Sequence, residues 1–327
     1  MCSFGGGFME DHEFTPTVLH PLAIIEVPTH ILGAYIVIYK TPLKMSSIKW
    51  SMVILHFWSA FLDVLISVIS TPYIILPVPA GIFSGLLAYF DLNKPFRMYI
   101  YISSMTATVI AILGLFENRH NALNYENQKS RKLRILYLLL NYLLAFTFLI
   151  PCLLAVPEQS KAISEVRKLL PCLPPEVFDD PDFFVLTTDH RLLSYSTALI
   201  SVVCTSQIFY FFFKILGLLF NKSIKSENTY RIQKKLYTSL SIQLSIPLTF
   251  FLIPITYIIF SFATGYFNQS LNNLVFVMIG LHGLISTWVM LSVHAPYRES
   301  VQKLICFWRK EEIHVDRTKR MSLVVSL

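Results

Sequence analysis

The stretch Trp50–Leu76, WSMVILHFWSAFLDVLISVISTPYIIL, has 27 residues. Asp63 is the only Asp, Glu, Lys or Arg residue in it. An α-helix rises about 1.5 Å per residue, so about 20 apolar residues cross a hydrocarbon core about 30 Å thick. We therefore predict that this stretch is a membrane-spanning helix. The fold then depends on how many such stretches the chain contains.

Six further apolar stretches of comparable length lie along the chain. We predict seven spans, at residues 18–39, 50–76, 96–116, 135–156, 192–220, 236–262 and 272–294. The first is the weakest, because it contains Glu26, His30 and two prolines. With tails at 1–17 and 295–327, a bundle of residues 18–294 leaves no room for a separate soluble domain.

The lysines and arginines of the loops predict the direction of insertion. If the N-terminus is outside, the inner segments carry 20 of the 27 Lys and Arg residues and the outer segments carry five. These inner segments are 40–49, 117–134, 221–235 and 295–327. Because cytoplasmic loops are enriched in Lys and Arg, we predict an all-α membrane protein with seven helices, its N-terminus outside and its C-terminus inside.

The overall composition agrees with this class. The chain is 54% hydrophobic and 14% charged, with a mean hydropathy of +0.57, unlike a soluble domain. The net charge of +7 is explained by insertion topology and contact with anionic membrane lipid. We therefore expect membrane lipid, and no nucleic acid, as a partner.

The histidines and acidic residues do not form a pattern typical of an enzyme. None of the nine histidines pairs with another at the i, i+4 spacing that places two imidazoles on one helix face. We expect no catalytic residues, no metal and no cofactor.

Two acidic residues inside the spans are of interest, since a charge is costly in lipid. Asp63 lies near the middle of the second span and Glu26 within the first. Either must face the bundle interior, a water-filled cavity or a polar partner. Two interpretations of Asp63 stay open: a functional group, or a neutral carboxyl hydrogen-bonded to Ser59 or Ser67.

The sixth span contains two prolines, Pro247 and Pro254. Each removes a backbone donor and tends to kink a helix. The kink is either a hinge for the inner half of the helix or a static bend that makes room for a cavity.

The five cysteines do not have zinc spacing. Cys172 lies in the predicted second outer loop, on the oxidising side where disulfides persist. Cys152 lies near the outer end of the fourth span, so a Cys152–Cys172 bridge is a candidate that would tie down this loop. The alternative is that Cys152 is a small apolar helix residue and Cys172 is free.

The predicted inner ends of two spans have specific patterns. The third ends in LFENRH, which places Glu117, Asn118 and Arg119 at the cytoplasmic rim. The seventh ends in LSVHAPYRESVQKLICFWRK, from Leu291 to Lys310. Apolar residues at helical spacing after the proline predict a short amphipathic helix at about 298–309, lying on the membrane. Anchoring by Arg, Tyr and Trp alone is the simpler alternative.

The HAPYR ending, with His294, Pro296, Tyr297 and Arg298, resembles the His-x-Pro-Tyr-Arg signature of nematode seven-transmembrane chemoreceptors. Further stretches are similar to serpentine receptor class H, the Srh family. These are HPLAIIEVPTHILGAYIVIYKTPLKMSSIKW, LHFWSAFLDVLIS, TPYIILPVPAG, LFENRH and PCLPPEVFDDPDFFVL. The resemblance covers about residues 18–308. It implies a chemosensory G-protein-coupled receptor of the plasma membrane, in sensory-neuron cilia.

The resemblance also implies a mechanism. A small environmental molecule would bind an outward cavity among the third, fifth, sixth and seventh spans and favour one packing of the bundle. The inner halves would then expose a crevice for a heterotrimeric G protein. It would be lined by Arg119, the Tyr297-Arg298 turn, Lys222, Lys225, Arg231, Lys234 and Lys235. The chain departs from rhodopsin-type receptors: Glu117-Asn118-Arg119 replaces Asp-Arg-Tyr, and the top of the third span lacks a cysteine.

Two other functions remain as alternatives. An odorant-gated ion channel would have its N-terminus inside. A polytopic transporter would show paired, interrupted helices in two matching halves, and we detect no repeat. The ligand, the coupled G protein and the oligomeric state are not determined by the sequence.

Overall fold

The computed structural model describes residues 4–90, 92–124, 130–189, 191–220 and 227–304, which are mostly helical. The helices are α1 Phe14–Tyr39, α2 Ser46–Val64, α3 Lys94–Leu123, α4 Arg131–Thr147, α5 Ile150–Leu154, α6 Gln159–Leu169, α7 Pro175–Asp179, α8 Arg191–Phe220, α9 Glu227–Thr264 and α10 Gln269–Val293. The strands are β1 Thr71–Ile75, β2 Ala80–Ser84 and β3 Phe184–Val185. A π-helical turn, Leu65–Ile69, extends α2.

Seven of these helical segments form the bundle. Six are long and apolar enough to cross a membrane: Phe14–Tyr39, Ser46–Ile69, Lys94–Leu123, Arg131–Leu154, Arg191–Leu218 and Gln269–Val293. The seventh is α9, whose apolar part is Leu248–Thr264. The fourth span is divided between α4 and α5, with Pro151 in the first turn of α5, where its missing N–H costs nothing. The prediction of a seven-transmembrane helix bundle is confirmed.

The helices pack around α3 and α10, the most buried of the spans. α3 packs against α2, α4 and α8, whereas α10 packs against α1, α2 and α9. On the sides that do not pack against α3, α4 and α8 expose large apolar side chains, including Leu139, Leu143 and Phe213. Such exposed apolar faces are expected of helices that contact lipid.

The predicted second span, 50–76, is too long. Its helical part ends at Ile69, and Thr71–Ile75 forms β1, antiparallel to β2. All five residues of β1 are buried, and a short apolar run buried on both faces lacks the alternation that distinguishes a strand from a helix. Within this run, Pro72 was the residue that argued against a continuous helix. It is tolerated because β1 is an edge strand in the order β1-β2-β3.

The sheet forms a cap with its own apolar core at one end of the bundle, which we call the sheet end. Side chains of the three strands pack there with α6, α7 and Phe267. Arg97 at the start of α3 donates to Asp182 at 3.0 Å, which joins the segment before β3 to the bundle. Gly81 in β2 is required by close packing, since a Cβ there would lie 2.1 Å from the carbonyl oxygen of Tyr73.

The N-terminal segment also lies at the sheet end. The Tyr73 hydroxyl donates to the backbone oxygen of Glu10 at 3.1 Å, and Asn273 donates to Met9 O at 2.9 Å. Burial raises the pKa of the Tyr73 phenol, and the carboxylates of Asp11 and Glu10 raise it further. Tyr73 therefore stays neutral and remains a donor to this segment.

The opposite end, which we call the rim end, contains Glu117–Arg119 and the chain after α10. Residues 295–304 are helical after a bend at His294. Val301 and Leu304 are half-buried while Gln302 and Lys303 are exposed, and Val301 packs against the core of the bundle. An amphipathic helix that lies on the membrane here stays a prediction. Residues 305–309 of the predicted helix lie outside the described residues.

Candidate functional site

A cavity of about 140 Å³ lies at the sheet end, between α3, α8, α9 and α10. Its helical walls include Met98, Tyr101, Ile200, Cys204, Phe251 and Phe276. Ile74, Leu76 and Leu186 of the cap also line it, and each is buried. The cavity therefore sits among the helices that correspond to the predicted third, fifth, sixth and seventh spans, beneath the sheet.

Asp63 lies in the middle of the bundle and has no exposed surface. Its Oδ1 accepts the backbone N–H of Gly283 at 3.1 Å and lies 2.9 Å from His282 Nδ1. Its Oδ2 accepts the backbone N–H of Leu284 at 2.7 Å and lies 3.2 Å from His30 Nε2. The carboxyl thus has donors from α1 and α10, as a buried acid requires.

The predicted serine partners of Asp63 are wrong. The Ser67 hydroxyl lies 2.6 Å from Glu26 Oε2 and 2.7 Å from the backbone oxygen of Asp63. The Ser59 hydroxyl has no partner among the described residues. Glu26 is fully buried and faces the bundle interior.

Three histidines extend the contacts of Asp63. His56 Nε2 lies 2.9 Å from the backbone oxygen of His30, and the Thr287 hydroxyl lies 3.4 Å from His30 Nδ1. His282 Nδ1 also lies 2.7 Å from the backbone oxygen of Ile279. The result is a polar network across α1, α2 and α10. We call it the Asp63 cluster: Glu26, His30, His56, Asp63, Ser67, His282 and Thr287.

Two glycines make room for this cluster. A Cβ on Gly283 would lie 2.6 Å from Asp63 Oδ2, and a Cβ on Gly33 would lie 2.7 Å from both His56 Cε1 and Thr287 Cγ2. These distances are shorter than van der Waals contact. The close approach of α1, α2 and α10 therefore depends on glycine at both positions.

At the rim end, Glu117 and Asn118 share a partner that lies outside the predicted motifs, Arg134 on α4. Arg134 donates through Nε to Glu117 Oε1 at 2.8 Å and through a second nitrogen to Glu117 Oε2 at 2.9 Å. It also donates to Asn118 Oδ1 at 2.7 Å. Asn118 in turn donates to the backbone oxygen of Ser47 at the start of α2. This group therefore joins α2, α3 and α4.

Tyr297 of the HAPYR motif contacts Thr41, in the segment between α1 and α2, and Met52 on α2. Tyr297 is fully buried rather than at the membrane surface, and its hydroxyl lies 2.9 Å from Thr41 Oγ1. The ring of His294 lies 5.4 Å from that of Tyr297. Arg298 is exposed and donates to the backbone oxygen of Ser292 at 3.2 Å. Pro296 lies in the first turn of the helical segment 295–304.

The other residues predicted for the rim differ in their exposure. Arg119 is buried, whereas Arg231, Lys234 and Lys235 are exposed on α9. Lys222 and Lys225 lie outside the described residues. Pro247 and Pro254 both lie within the continuous helix α9, and their role as a hinge stays a prediction.

The predicted Cys152–Cys172 bridge is wrong. Cys152 and Cys204 are free and buried, whereas Cys172 is disulfide-bonded. The partner of Cys172 is therefore neither Cys152 nor Cys204. Cys152 is the small apolar helix residue of the alternative interpretation, but Cys172 is not the free thiol that this interpretation expected.

Comparisons with known proteins match this architecture. A protein-family model described as "Serpentine type 7TM GPCR chemoreceptor Srh" matches residues 10–307. The chain is also similar to "Serpentine receptor class H-72" of Caenorhabditis elegans, with 27% identity over 288 residues. That alignment covers 86% of this chain and 83% of the relative. The range matched by the family model includes the cavity, the Asp63 cluster and the described part of the rim end.

Proposed function

Because the chain belongs to the serpentine type 7TM GPCR chemoreceptor family Srh, we propose that it binds a small environmental molecule and activates a heterotrimeric G protein. Membership of this family points to a receptor rather than an enzyme. The residues that carry the function are proposed below from the cavity, the Asp63 cluster and the rim end.

The observation that carries the proposal is the position of the cavity. Ligand pockets are concave, mostly apolar and commonly lie between the helices of a bundle. This cavity is formed by four helices, of which α3, α9 and α10 each also extend to the rim end. A ligand that contacts these helices can shift the equilibrium between two packing arrangements of the bundle. The size of the shift is set by the difference in its affinity for the two arrangements.

The Asp63 cluster lies between the cavity and the rim end along α10, since Phe276 lines the cavity and His294 follows the helix. It joins α1, α2 and α10 through buried polar contacts. A shift of α10 at the cavity therefore acts on this cluster first and on Tyr297 second. We assign the cluster a coupling role and Tyr297 a positioning role.

In the described arrangement the rim end is closed. Glu117, Arg119, His294 and Tyr297 are all buried, so they are not accessible to a protein partner. We propose that activation separates α3 from its neighbours and exposes Arg119, with Arg298 and the basic part of α9 at the edge of the G-protein site. Pro247 and Pro254 are the proposed hinge of α9.

We further propose that the sheet end is extracellular and the rim end cytoplasmic, in the plasma membrane of a sensory-neuron cilium. The excess of Lys and Arg at the rim end supports this orientation. An epitope tag before residue 4 tests it on intact cells: antibody staining without permeabilisation is expected. Staining only after permeabilisation would reverse the orientation and favour the odorant-gated channel.

The function is tested in cells that express the full chain with a G-protein reporter, screened against volatile and nematode-derived compounds. We expect a response that is lost in Thr197→Phe, because Thr197 lines the cavity. Ala198→Phe is the matched control on the same helix, outside the lining. A response that persists when Arg119 and Arg298 are both neutralised would contradict the proposed G-protein surface.

A further inference from the structure

A groove of about 430 Å³ lies between α4 and α8 and shares no lining residue with the cavity at the sheet end. Its lining comes from both helices: Tyr137 of α4, and Ser206, Gln207, Tyr210 and Phe211 of α8. Ser206 and Tyr210 are exposed, so the groove lies on the outside of the bundle. Because lipid surrounds the bundle, the groove is open to the membrane.

Polar side chains join α4 and α8 at this groove. Both helices pack against α3. Tyr137 donates to the side-chain oxygen of Gln207, and Gln207 donates to Asn141 Oδ1 at 3.0 Å. Hydrogen bonds between transmembrane helices stabilise their packing. These two bonds therefore hold the walls of the groove at a fixed separation.

The groove is closed toward the sheet end and leads to the rim end. Toward the sheet end, Ala145 of α4 packs with Ile200 and Cys204 of α8 in a buried apolar cluster. In the other direction, α8 continues to Lys214, which is exposed. The helix advances about 12 Å from Ser206 to Lys214. A lipid chain that enters from the rim end therefore has space to reach the buried cluster.

Lys214 lies at the rim end of the groove. Gln207, Tyr210 and Lys214 are three and four residues apart, so they lie along one side of α8. The first two line the groove. The Lys214 ammonium lies 5.7 Å from the centroid of the Tyr210 ring, which is within the range of a cation–π contact. The positive charge of Lys214 is therefore held next to a residue of the lining.

The rim ends of α4 and α8 are positively charged. Neither helix contains Asp or Glu, and Glu117 of α3 is paired with Arg134. Three further basic residues at these helix ends are exposed: Arg131, Lys132 and Lys214. Basic residues near a membrane surface attract acidic lipids. The rim end of the groove therefore favours an anionic head group.

We propose that the groove binds one anionic phospholipid of the leaflet at the rim end, with an acyl chain between Tyr137 and Tyr210 and its head group at Lys214. A second copy of this chain is a poorer occupant, because a symmetric contact across the groove would bring the basic residues of the two copies together. The proposed lipid site does not depend on the cavity or on G-protein activation.

Photolabelling of the full chain in phosphatidylcholine nanodiscs tests the site. The discs contain a small fraction of a probe with a diazirine in one acyl chain, either phosphatidylserine or phosphatidylcholine, and peptide mass spectrometry locates the labels. We expect the ratio of serine-probe to choline-probe labelling to be higher at Tyr137 and Tyr210 than at Ile31, an exposed residue of α1. Unlabelled phosphatidylserine should remove the difference, whereas additional phosphatidylcholine should not.

Lys214→Gln is expected to lower the phosphatidylserine labelling at Tyr210 about fivefold, the effect of one basic residue on acidic lipid near a membrane surface. Lys303→Gln is the matched control. Lys303 is also exposed at the rim end but follows α10, and its loss changes the net charge equally. Labelling at Tyr210 should stay unchanged in this control.

Ser206→Trp tests the groove itself, because an indole at this position fills the space between α4 and α8. We expect it to abolish the excess labelling at Tyr137. Val202→Trp is the matched control, since Val202 is exposed one turn away on α8 and does not line the groove. It should keep the excess.

Equal probe ratios at Tyr210 and Ile31 would overturn the proposal. Equal effects of Lys214→Gln and Lys303→Gln, or excess labelling that survives Ser206→Trp, would also overturn it. A groove that resists both probes in a chain that light scattering shows to be dimeric would replace the lipid with a second copy. None of these results changes the test of the cavity, which is the reporter response.

Discussion

Asp63 on α2 accepts a hydrogen bond from the backbone N–H of Leu284 on α10 at 2.7 Å. The neighbouring N–H of Gly283 donates to the other carboxylate oxygen at 3.1 Å. Because both donors belong to the main chain, substitution of side chains on α10 does not remove them. On the α2 side, both of these hydrogen bonds depend on the side chain of Asp63.

We expect Asp63→Ala to destabilise the bundle strongly. The substitution removes the Asp63 acceptor from the backbone N–H groups of Gly283 and Leu284 and from His30 Nε2. His282 Nδ1 keeps the backbone oxygen of Ile279 at 2.7 Å. Each buried donor left without an acceptor costs about 1–3 kcal/mol. The midpoint of thermal unfolding in detergent measures the effect. Glu176→Ala, at an exposed position of α7, is the control and should unfold like the unmodified chain.

Gly283→Ala tests the close approach of α2 and α10 separately. Its Cβ would meet the Asp63 carboxyl at 2.6 Å, and overpacking of a buried site typically costs about 1–3 kcal/mol. Gly217→Ala on α8 is the matched control, because nothing lies within 4 Å of a Cβ there. Alanine is the better helix former by about 1 kcal/mol, so the control should be slightly more stable. Equal stabilities would contradict this packing.

Hydropathy and the distribution of basic residues were enough to predict the seven helices. Both patterns reflect the surroundings of the chain, since the spans contact lipid and the loops contact water. The strand Thr71–Ile75 was missed for the same reason. In the cap, apolar side chains are buried by protein rather than by lipid, and hydropathy does not distinguish the two. Prolines at 72, 77 and 79 were the local evidence against a helix that ends at residue 76.

The candidate site could be predicted only where its residues are close in sequence. Glu117-Asn118-Arg119 and His294–Arg298 are local motifs, and both were identified. The partners of Asp63 were not, because His30 is 33 positions away and Leu284 is 221 positions away. The groove between α4 and α8 was missed for another reason: it becomes apparent only when the packing of the two helices is known.

Thiol mapping tests the corrected disulfide. In protein denatured without reductant, N-ethylmaleimide is expected to modify Cys152 and Cys204, which are free. It should leave Cys172 unmodified until a reductant is added. Peptide mass spectrometry measures each site and identifies the cysteine bonded to Cys172. A Cys152–Cys172 peptide pair, or modification of Cys172 before reduction, would contradict the structure.

The ion pair between Glu117 and Arg134 is expected to contribute to stability as well as to the closed rim end. Its side chains are 5% and 20% exposed and joined by two hydrogen bonds. Hydrogen bonds to charged groups contribute about 1.5–3 kcal/mol. We expect a double-mutant cycle with Glu117→Gln and Arg134→Gln to give a coupling energy of about 2 kcal/mol.

The pair Glu158–Lys161 provides the matched comparison for that cycle. It has a shorter N···O distance, 2.6 Å against 2.8 Å, but its side chains are 61% and 78% exposed. Exposed pairs one helical turn apart contribute little to stability, because water screens them. Unfolding measurements at low and high salt should therefore show a small, salt-sensitive coupling for Glu158–Lys161. The larger coupling of Glu117–Arg134 should persist at high salt. Equal couplings would mean that burial at the rim end adds nothing to the strength of the Glu117–Arg134 pair.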